Sequence, residues 1–444
     1  MSNNLRIKKG FDIKLVGLPQ KKIEKIDAPS IVVLKPSDFK NVTPKLLVNE
    51  GDAVKAGQKI FFHKDLPEVF FTSPVSGEIV EIVRVEKRRI SQIKILTDKE
   101  NSAIQFNIPS ELSSESVKNI LLESGAWTYI RQRPFDMIPD PQTKPKSIFV
   151  SLFDTAPLAP DYTFILDKAK LQKGLEILSA LSEGKLNVSV NNDEMSSIAN
   201  KVKGVNVISV SGPHPAGNVG IQIHHTDPIR PGETVWYVNA QDVAIIGELF
   251  LSGIYTPKRT VGLVGSGVVD PRYFEVIPGQ AVADLVKDKI KEDNQRIIQG
   301  NVLSGTTSNE SDFISHYTNQ VTVITEGNQP EFFGWALPGF GKLSLSRSFF
   351  SWLTPNKTYD LDTNTHGEER AFVVSGEYDK VLPMNIMPVI LLKSILAKDI
   401  ERMEALGIHE ISEEDFALCE FVCTSKIDVQ NIVREGLELI RMDA

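Results

Sequence analysis

Between residues 41 and 98 short apolar runs are interrupted by turn residues at regular places, and this pattern constrains the fold more than any other part of the chain. It reads Val42-Thr-Pro-Lys-Leu-Leu-Val-Asn-Glu-Gly51-Asp-Ala-Val-Lys-Ala-Gly57-Gln-Lys-Ile60, then Phe70-Phe-Thr-Ser73-Pro74-Val-Ser-Gly77-Glu-Ile-Val80. Short alternating strands joined through Gly-Asp, Ser-Pro and Ser-Gly turns predict a small β-barrel. Gly51, Gly57 and Gly77 are expected to supply positive φ angles at its corners.

The two turn motifs resemble those of the barrel-sandwich hybrid fold of lipoyl and biotinyl carrier domains. In such domains a hairpin presents a covalently modified lysine. Lys64 lies in about the right hairpin, but His63-Lys64-Asp65 matches neither modification motif. The expectation is therefore a barrel that is not acylated, with a solvated lysine, since fold carries over more readily than function.

The remaining chain divides by pattern. Residues 1–40 are basic and loop-like, with a short strand at Ile31–Leu34. Residues 101–256 alternate strand and helix. Strands are expected at 148–152, 186–190 and 205–210, and helices begin near Ser114 and Leu171. Apolar strands alternating with helices predict a parallel, Rossmann-like α/β domain. Residues 257–328 read as strands with one helix over 281–290, a β-grasp-like module. Residues 329–380 connect, and 381–444 are helical. The class is α/β multidomain, with the barrel at 41–100.

The third expected strand runs into Ser211-Gly-Pro-His214-Pro-Ala-Gly217. Ligands bind such sheets just past a strand. This loop is neither G-x-G-x-x-G nor a P-loop, and its prolines remove backbone donors. His224 and His225 follow in a run read as a strand, where neighbours point to opposite faces and do not easily share a metal. No metal site is expected.

The segment Trp127-Thr-Tyr129-Ile-Arg131-Gln-Arg133-Pro-Phe135 interleaves two arginines with aromatics. It suits an anionic or flat aromatic ligand, such as a flavin, nucleotide or quinone, or else it buries a loop. A second aromatic cluster, Phe332, Phe333, Trp335, Phe340, Phe349, Phe350 and Trp352, is either an exposed interface or inter-domain core. Near the end, Ser412-Glu-Glu-Asp415 starts a helix that carries Cys419 and Cys423 on one face, where packing is the expected role.

Composition removes several classes. Lys and Arg number 49 against 57 Asp and Glu, a net charge of −8, which argues against broad nucleic-acid binding. Two cysteines in all exclude a disulfide framework and four-thiolate iron–sulfur ligation. The first residues do not read as a signal peptide. The most apolar run, 381–397, is interrupted by Pro383, Pro388 and Lys393, so no transmembrane segment is expected.

Taken together these segments are similar to the A subunit of the bacterial sodium-translocating NADH:quinone oxidoreductase. Matching stretches include Ile7–Asp12, Trp127–Phe135, Leu175–Lys185, Tyr237–Val243, Gly247–Gly253, Phe333–Gly339 and Cys419–Cys423. The resemblance implies a peripheral subunit on the cytoplasmic face of the bacterial inner membrane, docked to membrane-embedded and peripheral subunits, especially the B subunit in the membrane. It implies a complex that couples electron transfer from NADH to ubiquinone to Na⁺ export. It also implies kinship with the Rnf complex C subunit and the flavin-binding subunit of respiratory complex I. No cofactor is expected to bind tightly, because the flavin-loop glycines and cluster cysteines of those relatives are missing here.

The expected role is quinone binding or access, together with assembly. In that reading Arg131 and Arg133 donate to quinone carbonyls, Trp127, Tyr129 and Phe135 form walls, and His214 adds a donor or proton. The alternatives are an assembly subunit of purely structural role and a flavin- or NAD-binding dehydrogenase subunit.

Overall fold

The computed structural model describes residues 3–183, 185–291, 294–328, 333–334 and 337–443. The turn-punctuated stretch folds into two small antiparallel sheets. One has four strands, in the order Ile31–Leu34, Ile90–Thr97, Gly77–Arg84, Ala53–Val54; the other has three, Pro44–Leu46, Lys59–His63, Phe70–Thr72. Their inner faces close on Ile60, Phe61, Phe71, Ile79, Ile93 and Ile95. Gly51, Gly57 and Gly77 take φ of 89°, 82° and 157°. At Gly77 a β-carbon would meet the Leu96 carbonyl oxygen at 2.0 Å, so the hairpin requires glycine. Lys64 is exposed just past strand Lys59–His63.

The second region is a six-stranded sheet in the order Asn3–Arg6, Val205–Ser211, Leu186–Val190, Ile148–Ser151, Val235–Asn239, Arg131–Arg133. All neighbours are parallel except the last pair. Strand alternation sends Ile148 and Val150 into one core with helices Lys168–Leu181 and Ala240–Ser252, and Phe149 into another with the C-terminal helices. Both faces are covered, as a parallel sheet requires.

The third region is a mixed six-stranded sheet, Thr306–Ser308, Gln295–Gln299, Gln320–Thr325, Arg259–Val264, Arg272–Val276, Gln20–Lys25, with its own core around Val261, Phe274, Leu285 and Val323. Its helix spans Val282–Val286 rather than the 281–290 read from sequence, because the chain turns away at Lys287.

Two further local readings are corrected. The first forty residues are not loops throughout, since Asn3–Arg6 and Gln20–Lys25 are edge strands of the two six-stranded sheets. His224 and His225 lie on helix Val219–Thr226, not on a strand. Val219 to Ile223 are all buried, so burial on every side erases the helical period in the sequence.

Candidate functional site

Strand Arg131–Arg133 is three residues long and pairs with Val235–Asn239, Arg131 opposite Tyr237 and Arg133 opposite Val235. Both arginines share the sheet face that carries the C-terminal helices. The Arg131 guanidinium lies 4.7 Å from the ring centres of both Tyr237 and Tyr317. The following turn holds Phe135 and Asp136 at φ of 79° and 55°, and Gln132 N–H closes it on the Met137 carbonyl at 2.8 Å. Asp136 thereby comes back to within 3.7 Å of Arg131 and accepts from the Tyr237 hydroxyl.

Arg133 is buried and donates to Glu414 Oε1 at 2.6 Å, with Asp415 Oδ2 3.7 Å away. Its Nε and second terminal nitrogen, and Oδ1 of Asp415, have no hydrogen-bond partner among the described residues. Burial opposes ionisation of Asp136, but Arg131 and Arg133 together outweigh it and hold this carboxyl below its usual range. For Glu414 and Asp415 burial dominates over Arg133, and both carboxyls are pushed upward. The carboxylates and Tyr237 were not singled out from sequence as parts of a site. Glu414 and Asp415 were legible only as a helix start, and Ser412 and Asp415 do form a capping box.

Trp127 and Tyr129 sit on the turn Ala126–Tyr129 and are fully buried. The turn follows helix Ser114–Ser124, capped by Ser113 and stopped by Gly125 at φ 82°. Trp127 Nε1 donates to the Pro139 carbonyl at 3.0 Å and its ring meets Trp236 edge-on. The Tyr129 hydroxyl is 2.9 Å from that of Tyr255, and its ring stacks on His316 at 4.9 Å. Below lies a buried ion pair, Arg259 with Asp242. Burial, with Arg259 and Arg131 nearby, holds the His316 imidazole well below its ordinary pKa.

A small cavity opens beside this stack, where the barrel and the two sheet regions meet. Its walls include Phe39, Phe71, Pro74, Pro257 and Pro278, and its polar edge includes Thr128, Tyr255, His316 and Lys35. Its volume is about 30 Å³.

His214 stands apart, at the carboxyl end of strand Val205–Ser211. Its backbone N–H donates to Asp12 at 2.8 Å, and Nδ1 is 3.1 Å from the Thr155 hydroxyl. The Thr155 hydroxyl also accepts from Gly217 N–H at 2.9 Å. Burial depresses the His214 pKa to about 4. The structure thus gathers Arg131, Arg133 and Phe135 at one turn, seats Trp127 and Tyr129 in the neighbouring core, and puts His214 on a separate loop. Asn218 links the two regions by donating to the Glu414 carbonyl at 3.3 Å.

The crevice where the strand order reverses, between Ile148–Ser151 and Val235–Asn239, is where such sheets bind nucleotides. Here the chain's own loop approaches closely. Leu158 is buried at φ 58°, the Pro157 carbonyl accepts from Gln320, and a β-carbon on Gly217 would lie 2.6 Å from Thr155 N. Among the described residues no three His, Cys, Asp or Glu side chains are grouped to hold a metal ion, and no helix is long and apolar enough to cross a membrane.

Comparison with known proteins agrees along the whole length. Residues 5–98 match the NqrA N-terminal barrel-sandwich hybrid domain, 112–255 the NqrA second alpha/beta domain, and 260–310 the NQRA C-terminal domain. The chain is 37% identical to the A subunit of the Na(+)-translocating NADH-quinone reductase of Rhodopirellula baltica, over 99% of this chain and 98% of that protein. It is 38% identical to that of Tolumonas auensis, over 99% and 100% respectively. The chain belongs to the NqrA family, the A subunits of Na(+)-translocating NADH-quinone reductases.

Members of the NqrA family are named as one subunit of an enzyme complex, and these relatives cover 99% of this chain, including the residues after 310 that lie beyond the matched domains. A chain of NAD⁺-reducing [NiFe]-hydrogenase in the air-oxidized state is also similar, at TM-score 0.42 and 12% identity, over 76% of this chain and 62% of that one. That likeness is too loose to bear on chemistry.

Proposed function

We propose that this NqrA chain shapes quinone access in the sodium-translocating complex and contributes to its assembly, without a redox centre of its own. The observation that carries the reading is the cavity at the three-way seam, with apolar walls on one side and Thr128, Tyr255 and His316 on the other. A quinone head, of ubiquinone or a relative, is a flat apolar ring with two carbonyl oxygens that gain negative charge on reduction. It needs flat apolar walls and a few donors aimed at those oxygens.

In this reading Tyr129 stacks behind His316, Arg131 lies beyond Tyr317, and Trp127 fixes the turn that carries Thr128. Arg133, Phe135 and His214 hold the turn and loop behind it. A cavity of about 30 Å³ holds a water or two, not a ring, so the quinone enters by parting the seam. Within the parallel part of the second region, the four strands from Val205–Ser211 to Val235–Asn239 run in the order 3-2-1-4, which supports the Rossmann-like assignment, and the helix-crossed mixed sheet supports a β-grasp assignment. Membrane-embedded neighbours, the B subunit first among them, and a seat on the cytoplasmic face of the inner membrane belong to the same proposal.

The test is titration of a short-chain ubiquinone into the isolated chain, followed by calorimetry or ligand-observed NMR. Tyr255→Phe removes one donor and Arg131→Ala one half-buried cation, and each is expected to weaken binding by roughly fivefold to tenfold. Affinity unchanged in both variants, or no binding to the parent chain, removes the seam as a quinone site.

A further inference from the structure

We infer that residues 337–359 form a face that seats the chain directly on an anionic lipid surface. The inference is independent of the quinone reading. This stretch has no Asp or Glu in 23 residues but contains Lys342, Arg347 and Lys357, in a chain where acids outnumber bases by 57 to 49. It also exposes bulky apolar groups that a water-facing loop ordinarily hides. Leu337 is 58% exposed, Phe340 67%, Trp352 51% and Leu353 58%. Phe332 and Trp335, from the same sequence cluster, lie outside the described residues.

The segment is folded upon itself. Ser344 N–H donates to Ser351 Oγ at 3.2 Å, Phe349 N–H to Ser344 Oγ at 3.1 Å, and Lys357 Nζ to the Phe340 carbonyl at 2.6 Å. Phe340 and Phe350 pack with ring centres 5.7 Å apart. Its far end is tied to the N-terminal strip: Tyr359 N–H donates to the Lys14 carbonyl at 2.8 Å, Val16 N–H returns to Tyr359 at 3.0 Å, and Lys14 Nζ reaches the Pro355 carbonyl at 3.1 Å.

The cations lie over the aromatic rings: Arg347 is 5.7 Å from the Trp352 ring, Lys342 5.3 Å from Phe349 and Lys357 5.1 Å from Tyr359. Trp and Phe with Lys and Arg, and no acid between them, is the composition that settles at headgroup depth. The exposed rings of Phe340, Phe350 and Trp352 enter the interfacial layer while the cations meet lipid phosphates. An acidic protein partner would satisfy the charge, but the exposed Trp and Phe beside the cations match the chemically mixed interfacial layer of a bilayer.

The experiment is co-flotation of the full chain with phosphatidylcholine vesicles, with and without phosphatidylglycerol. Binding is expected only with the anionic lipid, to fall as salt rises, and to shift Trp emission to the blue. Trp352→Phe should remove much of the shift. Arg347→Glu with Lys357→Glu should weaken partitioning at least about tenfold, at roughly a fivefold loss per cation removed, with the melting temperature kept. Lys87→Glu with Arg88→Glu, on the exposed barrel hairpin, should leave it unchanged. No flotation with anionic vesicles overturns the inference, as does equal loss in both double variants or capture by an acidic protein without vesicle binding.

Discussion

Arg133 and Glu414, 281 positions apart in sequence, meet at 2.6 Å and join the edge strand of the second region's sheet to the turn Glu413–Phe416 within the C-terminal helical region. Arg133 is 2% exposed, and its other near carboxylate, Asp415, is fully buried. A lone buried charge is costly, and one arginine here faces two carboxyls that burial already pushes toward neutrality.

Arg133→Met is therefore expected to cost about 3–5 kcal/mol, since it leaves the buried Asp415 without its counter-charge, whereas Glu414, 42% exposed, keeps contact with water. Urea denaturation measures the loss, and hydrogen exchange should report it first in residues 412–443. Adding Glu414→Gln and Asp415→Asn to the same variant should recover part of it. If the arginine were only filling space, the added substitutions would not help.

Helices Lys168–Leu181 and Ala240–Ser252 cross through glycines. A β-carbon on Gly174 would lie 1.9 Å from the Val243 carbonyl oxygen, and one on Gly247 would lie 1.9 Å from that of Lys170. Alanine in a helix gains about 1 kcal/mol over glycine in backbone propensity. Here the obstacle is backbone, which no rotamer change relieves, so the helices must separate. Gly174→Ala is expected to destabilise by about 1–3 kcal/mol despite that gain. A rise in thermal midpoint would mean that propensity wins and the contact is soft.

The barrel was legible because its glycines and turn residues act locally, and the Ser113 cap and Gly125 stop of the helix before Trp127 are local signals too. Edge strands are another matter. Asn3–Arg6 pairs with a strand two hundred residues later, and Gln20–Lys25 is almost entirely exposed, so neither carries an apolar period. The arginine-aromatic turn was found by composition. What surrounds it was not, because Tyr317, His316, Glu414 and Asp415 reach it only through tertiary packing. Residue type alone offers His214, on the condition that it faces the arginines' cleft; its partners in the fold are Asp12 and Thr155.

Cys419 and Cys423 are both buried, and the Tyr378 hydroxyl donates to Cys423 Sγ at 2.9 Å. Burial pushes the Cys419 thiol upward, away from the reactive thiolate. Iodoacetamide at neutral pH is expected to leave both thiols unmodified in the folded chain and to alkylate both once urea is added. Mass spectrometry reads the difference, and prompt labelling of the native protein would place at least one thiol within reach of solvent.

His214 gives the pH dependence a definite sign. Burial lowers its folded pKa from 6.5 to about 4, so between those values the unfolded chain holds a proton that the folded chain does not. Its contribution is fully present above pH 6.5 and is lost as the pH falls toward about 4. His63, His225 and His316 are depressed in the same direction by burial, while the raised carboxyls of Glu414 and Asp415 work the opposite way. The total slope therefore does not isolate one group, but a difference between two proteins does. His214→Gln retains an acceptor for the Thr155 hydroxyl and cannot titrate. Its loss of stability between pH 7 and pH 5, from urea midpoints, should be smaller than that of the parent by about 2 kcal/mol. Parallel pH profiles would mean that His214 takes up its proton without leaving its place against Thr155.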